Sequence, residues 1–216
     1  MHSLYLDMTS KIDSIIFDLD GTLWDAAETV AKAWRAAREK VDFEIQEITP
    51  DKVRSIAGTQ HNLIFDKLFP QLNQAQRQEL MEVSGQEEMA HIRKHGGNLY
   101  EGLEETLEYL HAKYPLFIVS NCQDGYIEAF LERHDLGKFF GDFECSGRTG
   151  DSKDINLKAI VERNNLQAPV YVGDTPGDLE AAQKAGVPFV HAGYGYREVS
   201  EYEHRLERIG DLTTLF

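Results

Sequence analysis

Cysteine is nearly absent from this sequence, with only Cys122 and Cys145 among 216 residues. They form no C-x-x-C pair and are too few for a disulfide framework or a four-cysteine zinc site, which fits a reducing cytoplasm. Long apolar runs are missing as well: none approaches the roughly 20 residues that span a bilayer. Met1 to Asp13 lacks a basic start followed by an apolar stretch, so no signal peptide is expected there. Positive charge is in short supply, 22 Lys and Arg against 37 Asp and Glu, for a net charge of −15. That excess would repel duplex nucleic acid or an anionic membrane, and no basic cluster offsets it. What remains is a chain that is 42% hydrophobic, enough for one full core or for a core with a small accessory domain.

Three short apolar runs read as buried strands: Ser14 to Phe17, Leu116 to Val119 and Val170 to Val172. A fourth, Val187 to Val190, suits a sheet edge because Pro188 cannot donate to a ladder. Asp142 to Ser146 reads as another edge strand. Between them, Leu103, Leu107 and Leu110 mark one helical face, Leu157, Ile160 and Val161 a second, and Ile127, Phe130 and Leu131 a third with Asp124 as its N-cap. Pro176 opens a further helix carrying Ala181, Ala182 and Ala185. Strand and helix alternate from about residue 97 onward, the pattern of a parallel sheet covered on both faces. Residues 24–96 differ, with no convincing strand, an amphipathic helix around Trp34 and a longer one from Gln76 to Lys94. Gly96-Gly97 reads as a hinge. The expected fold is α/β, a Rossmann-like parallel-sheet core (1–23 and 97–216) with a helical cap domain (24–96) inserted after the first strand.

Each strong strand ends in chemistry: Asp18-Leu19-Asp20-Gly21-Thr22 after the first, Ser120-Asn121 after the second, Gly173-Asp174-Thr175-Pro176-Gly177-Asp178 after the third. Ligands in open α/β sheets bind outside the carboxyl ends of the strands. Bringing Asp18, Asp20, Asp174 and Asp178 together costs several kcal/mol in repulsion unless cations join them. Oxygen donors without cysteine or histidine favour Mg²⁺ over Zn²⁺, and Lys153 supplies a further positive charge. Residues two apart in an extended segment point the same way, so Asp18 and Asp20 can share a site. One carboxylate can attack phosphorus while the other protonates the leaving oxygen.

Asp18-Leu19-Asp20-Gly21-Thr22-Leu23 resembles the first motif of the haloacid dehalogenase-like (HAD) hydrolases. Val119-Ser120-Asn121 resembles their second motif, Lys153 the third and Val172 to Asp178 the fourth. The resemblance implies that Asp18 is a nucleophile forming an aspartyl-phosphate and Asp20 the general acid/base. It implies Mg²⁺ on Asp18, Asp174 and the backbone carbonyl of Asp20, with Asp178 supporting the metal through its waters. Ser120, Asn121 and Thr22 would bind phosphate, and Lys153 would orient Asp18 and the phosphate. The segment around Lys153 departs from the family's glycine-lysine-proline run, which leaves Arg148 as an alternative. The helical insert resembles the cap of the phosphoglycolate phosphatase-like branch. The presence of Asp20 argues against dehalogenation and phosphonate cleavage, whose branches lack that second aspartate.

The expected protein is thus a cytoplasmic Mg²⁺-dependent phosphatase of a small phosphorylated metabolite, a phosphomonoester, with phosphoglycolate the nearest substrate the resemblance implies and a sugar phosphate the other. It would be monomeric or weakly homodimeric, with no nucleic-acid or membrane partner. A sugar-phosphate mutase of the β-phosphoglucomutase kind is one rival, although the insert lacks an obvious concentration of basic and polar sugar-binding residues. A non-catalytic module binding Mg²⁺ and a phosphorylated ligand is the other. Trp24, Thr59, Gln60 and His61 are the candidates for setting the substrate, Trp34 is expected to pack in the core, and Asp25 to cap a helix.

Overall fold

The computed structural model describes residues 12–216. The expectation about a signal peptide concerns a stretch whose residues 1–11 lie outside the described ones. Among the described residues no helix is long and apolar enough to cross a membrane.

In chain order, β1 (Ser14–Phe17) leads through β2 (Trp24–Asp25) into α1 (Ala27–Arg38), α2 (Pro50–Ser55), α3 (Ile64–Leu68) and α4 (Gln74–His95). β3 (Asn98–Leu99), α5 (Leu103–His111), β4 (Leu116–Ser120), α6 (Tyr126–His134), β5 (Phe140–Cys145) and α7 (Ser146–Thr149) follow. The chain ends through α8 (Lys153–Arg163), β6 (Pro169–Gly173), α9 (Pro176–Ala185), β7 (Phe189–Ala192) and β8 (His204–Leu206), then short helical turns. Six strands form a parallel sheet in the order β5-β4-β1-β6-β7-β8.

The inner strands β1, β4 and β6 are buried on both faces and accordingly read as largely apolar runs, whereas the edge strands β5 and β8 are partly exposed and carry polar residues. Ile15 and Phe17 of β1 point into a large core shared with Leu103, Leu107, Ile127 and Phe130. Ile16, one residue out of phase, packs on the other face against Leu157, Ile160, Ala181 and Ala182. β1 lies between β4 and β6, with Phe17 opposite both Ile118 and Val172. That register brings the residues following all three strands out at one end of the sheet.

Three local expectations are corrected. The strand near Pro188 is no edge: β7 starts one residue later at Phe189 and carries β8 on its outer side, so the missing N–H of Pro188 falls outside the strand. Asp124 does not cap α6; Gly125 does so in a left-handed conformation, and Asp124 pairs instead with Arg148 at 2.9 Å. The segment after residue 23 does contain a strand, since β2 pairs antiparallel with β3 and the chain enters and leaves the helical segment as one hydrogen-bonded ribbon.

Residues 27–95 hold the four helices α1 to α4, with α1 packed along α4. Trp34, Phe65, Leu80 and Ile92 from these helices join the same hydrophobic core as Phe17 and Leu19. Contact with the sheet end is close: Asn121 donates to the Gly58 carbonyl at 2.7 Å, and the Asn121 carbonyl accepts from the His61 N–H at 3.2 Å.

Candidate active site

Asp18 leaves β1 with its N–H donating to the Val172 carbonyl at 2.8 Å, which fixes the carboxylate at the sheet end. Lys153, the first residue of α8, is 4% exposed, and its Nζ donates to Asp18 Oδ1 at 2.7 Å and to Asp178 Oδ1 at 2.5 Å. Arg148 is elsewhere, exposed and paired with Asp124 and Glu128. Asp178 sits in a capping box at the start of α9, where Oδ2 accepts from the Thr175 N–H at 2.9 Å and hydroxyl at 2.6 Å. Its Oδ1 also accepts from Tyr171 Oη at 3.1 Å. Helix capping and the ion pair thus draw on the same carboxylate.

Asp18, Asp174 and Asp178 each offer an oxygen within 4.8 Å of the others. Burial, reinforced by the charge of Asp178, pushes the Asp18 carboxyl up to about 7. The same two causes raise Asp174 above the usual carboxylate range. Burial also opposes the charge of Asp178, but Lys153 and the Thr175 donors hold it below that range. One lysine therefore does not neutralise the cluster. The donors are all oxygens, no cysteine or histidine joins them among the described residues, and a hard divalent cation fits the set. Gly21 has φ +85°, and a Cβ there would lie 2.2 Å from Asp174 Oδ2, so only glycine lets the first loop approach that carboxylate.

Asp20 is half-buried, and its Oδ1 accepts from Trp24 Nε1 and Tyr126 Oη, both at 3.0 Å. Burial pushes Asp20 up to about 7. A carboxyl at that level can hold a proton for a leaving group and later take one from water. Trp24 is fully buried against Tyr126, Phe130 and His134, so it positions Asp20 and does not border the cavity. Thr22 is likewise buried, with its hydroxyl donating to Asp174 at 3.4 Å. Asn121 spends its side chain on the Gly58 carbonyl, to which it donates, and on the Ser146 hydroxyl, from which it accepts. Ser120 borders the cavity beside it. Asp25 accepts from the Ala27 N–H at 2.9 Å, Tyr196 Oη at 2.8 Å and Arg54.

Asp18, Asp20, Ser120, Asn121 and Lys153 floor a cavity of about 80 Å³ that is partly open to solvent. Its roof comes from the helical segment: Val30, Trp34, Ile56, Thr59, His61 and Glu88. Gln60 turns away and donates to the Asp151 carbonyl at 3.2 Å. Sequence reasoning missed Glu88, Tyr126 and Tyr196, and it took Trp34 for core packing alone. Glu88 is 6% exposed, and burial pushes its carboxyl up to about 7. Its oxygens accept from Trp34 Nε1 at 2.6 Å and Gln123 Nε2 at 2.9 Å. The available signal was the spacing Leu80, Ser84, Glu88, Ile92, which puts four residues of α4 on one buried face.

Residues 15–192 match a family model described as haloacid dehalogenase-like hydrolase. The chain is similar to a phosphoglycolate phosphatase of Aliivibrio fischeri, 30% identical over 202 residues that cover 88% of this chain and 87% of the relative. It is also similar to a pyrophosphatase of Listeria welshimeri, 26% identical across 96% of this chain and 98% of that one. A haloacid dehalogenase-like family hydrolase from Streptococcus pneumoniae shares the fold with a TM-score of 0.82, at 19% identity over 94% of this chain and 97% of its own.

Proposed function

The chain belongs to the haloacid dehalogenase-like hydrolase family, and on that premise we propose a Mg²⁺-dependent phosphatase that hydrolyses a small phosphomonoester through a phospho-Asp18 intermediate. The observation that carries this reading is the buried Asp18–Lys153–Asp178 chain at the cavity floor, with Asp174 beside it. Asp18, Asp174 and the Asp20 backbone carbonyl would hold Mg²⁺. When bound, Mg²⁺ supplies positive charge that lowers the repulsion between a carboxylate and a phosphoryl group.

A carboxylate oxygen of Asp18 attacks phosphorus, and the ester oxygen departs with a proton from Asp20. Water then attacks the phosphorus of the acyl phosphate while Asp20 takes its proton, releasing inorganic phosphate and restoring Asp18. Lys153 holds Asp18 in place throughout and offsets charge on the phosphoryl oxygens. Ser120 Oγ and the Asn121 backbone N–H donate to those oxygens. Asp178 serves mainly as the clamp on Lys153, since its oxygens are engaged by Lys153, Tyr171 and Thr175. Residues 24–96 act as a cap that excludes bulk water. The cavity is completed by this one chain, which fits a monomer or weak homodimer, and a reducing cytoplasm fits its two free cysteines.

The test is phosphate release from a panel of small phosphomonoesters, with Mg²⁺ and with EDTA. Mg²⁺-dependent release with one favoured ester is the expected result. No release from any ester by the folded protein would overturn the phosphatase reading.

A further inference from the structure

The phosphatase reading accounts for the floor of the cavity but not for the carboxylate in its roof. Glu88 borders the same space as Asp18 and Asp20, and its two oxygens accept only from neutral donors, Trp34 and Gln123. Among the described residues, no cation forms an ion pair with it. Lys153 is committed to Asp18 and Asp178 on the opposite side. His61 is neutral near pH 7, because burial lowers it from the ordinary 6.5. Arg54 is committed to Asp25 and Asp51. Lys67 reaches Thr59 only from solvent. Much of the roof that Glu88 shares is apolar, with Val30, Ile56 and the Trp34 indole.

A charge buried in such a wall without a counter-charge is costly, and a ligand that supplies one recovers part of that cost. We propose that Glu88 reads the leaving group of the substrate, and that this leaving group carries an ammonium, as in the phosphate monoester of a small amino alcohol. The inference rests on the phosphatase reading for the orientation of the ligand, phosphoryl group on the floor and leaving group under the roof. An ammonium there meets the carboxylate of Glu88, which favours a cation. A hydroxyl meets an acceptor but leaves the charge uncompensated. A carboxylate, as in glycolate, brings a like charge beside Glu88 and Asp20 with no cation to receive it. This ordering separates the chain from the activity for which its Aliivibrio fischeri relative is named.

Three esters of nearly equal size isolate the effect: 2-aminoethyl, 2-hydroxyethyl and carboxymethyl phosphate. Their kcat/KM values are measured with Mg²⁺ at a pH about one unit above the value near 7 to which burial pushes Glu88. The expected order is amino, then hydroxyl, then carboxyl, with about 100-fold or more between the first and last. Glu88→Gln is expected to shrink that span at least about tenfold, mostly through KM of the amino ester, and to change the hydroxyl ester least. A wild-type preference for the carboxymethyl ester would overturn the inference. So would an equal loss for all three esters in Glu88→Gln, the mark of a purely structural residue. Calorimetric binding of the same esters to the Asp18→Asn protein reads the order without turnover. Absence of hydrolysis would then sink the phosphatase reading, while the binding order would still decide the role of Glu88.

Discussion

The two ends of the cavity treat buried acid in opposite ways. At the floor, Asp18, Asp174 and Asp178 crowd around Lys153, and a divalent cation suits the remaining charge. In the roof, Glu88 stands among apolar groups with two neutral hydrogen-bond donors. The floor is self-sufficient apart from a metal, so it can serve any phosphomonoester. The roof is complete only with a ligand, so it can choose among them.

The largest effect on this contrast is expected from removing Lys153, the one cation paired with the floor acids among the described residues. Lys153→Met leaves Asp18 and Asp178 buried without a counter-charge, which costs about 3–5 kcal/mol of stability, and it should abolish turnover. Arg148→Ala removes only two solvent-accessible ion pairs and should cost about 1 kcal/mol or less, with activity retained. Urea unfolding and phosphate release measure both. The opposite ranking would move the lysine's role to Arg148 and break the description of the floor.

Metal and proton compete for the same carboxylates, which gives a second, smaller effect. Asp18 and Asp20 are pushed from the ordinary 3.8 up to about 7, so between those values the folded chain keeps protons that the unfolded chain has released. Their contribution to stability is fully present below 3.8 and is lost as pH rises through about 7. Mg²⁺ is therefore expected to raise Tm by several degrees near pH 8, at about 2–4 °C per kcal/mol, and far less near pH 5. Glu88 titrates in the same range but is not at the metal site, so Glu88→Gln should leave the Mg²⁺ increment intact. Equal increments at both pH values would contradict the assignment of the acids.

How much of this was legible in the chain follows from where each residue sits. Asp18, Asp20, Lys153, Asp174 and Asp178 stand at strand ends or helix starts, where short apolar runs and a Thr-Pro helix start mark the spot locally. Their convergence follows from a parallel sheet with β1 at its centre. Glu88 has no such marker. It lies inside a largely polar helix beside Glu87, where the Leu80-to-Ile92 spacing hints at its face and the packing of α1 on α4 turns Glu88 to Trp34 and Glu87 to Lys40. Trp24 shows the limit from the other side: its position suggested a substrate contact, yet the β2–β3 ribbon buries it and aims its Nε1 at Asp20. Thr22 likewise turned toward Asp174, because the glycine beside it lets that loop fold onto the carboxylate.

The central claim is that Asp18 becomes covalently phosphorylated, and one experiment addresses it directly. The enzyme is acid-quenched during turnover of its best ester, treated with borohydride to reduce any acyl phosphate, and mapped by peptide mass spectrometry. The account predicts that Asp18 is recovered as homoserine, with Asp20 and Asp174 unchanged. Sustained phosphate release with Asp18 recovered intact, or reduction at Asp20 or Asp174 instead, would contradict it.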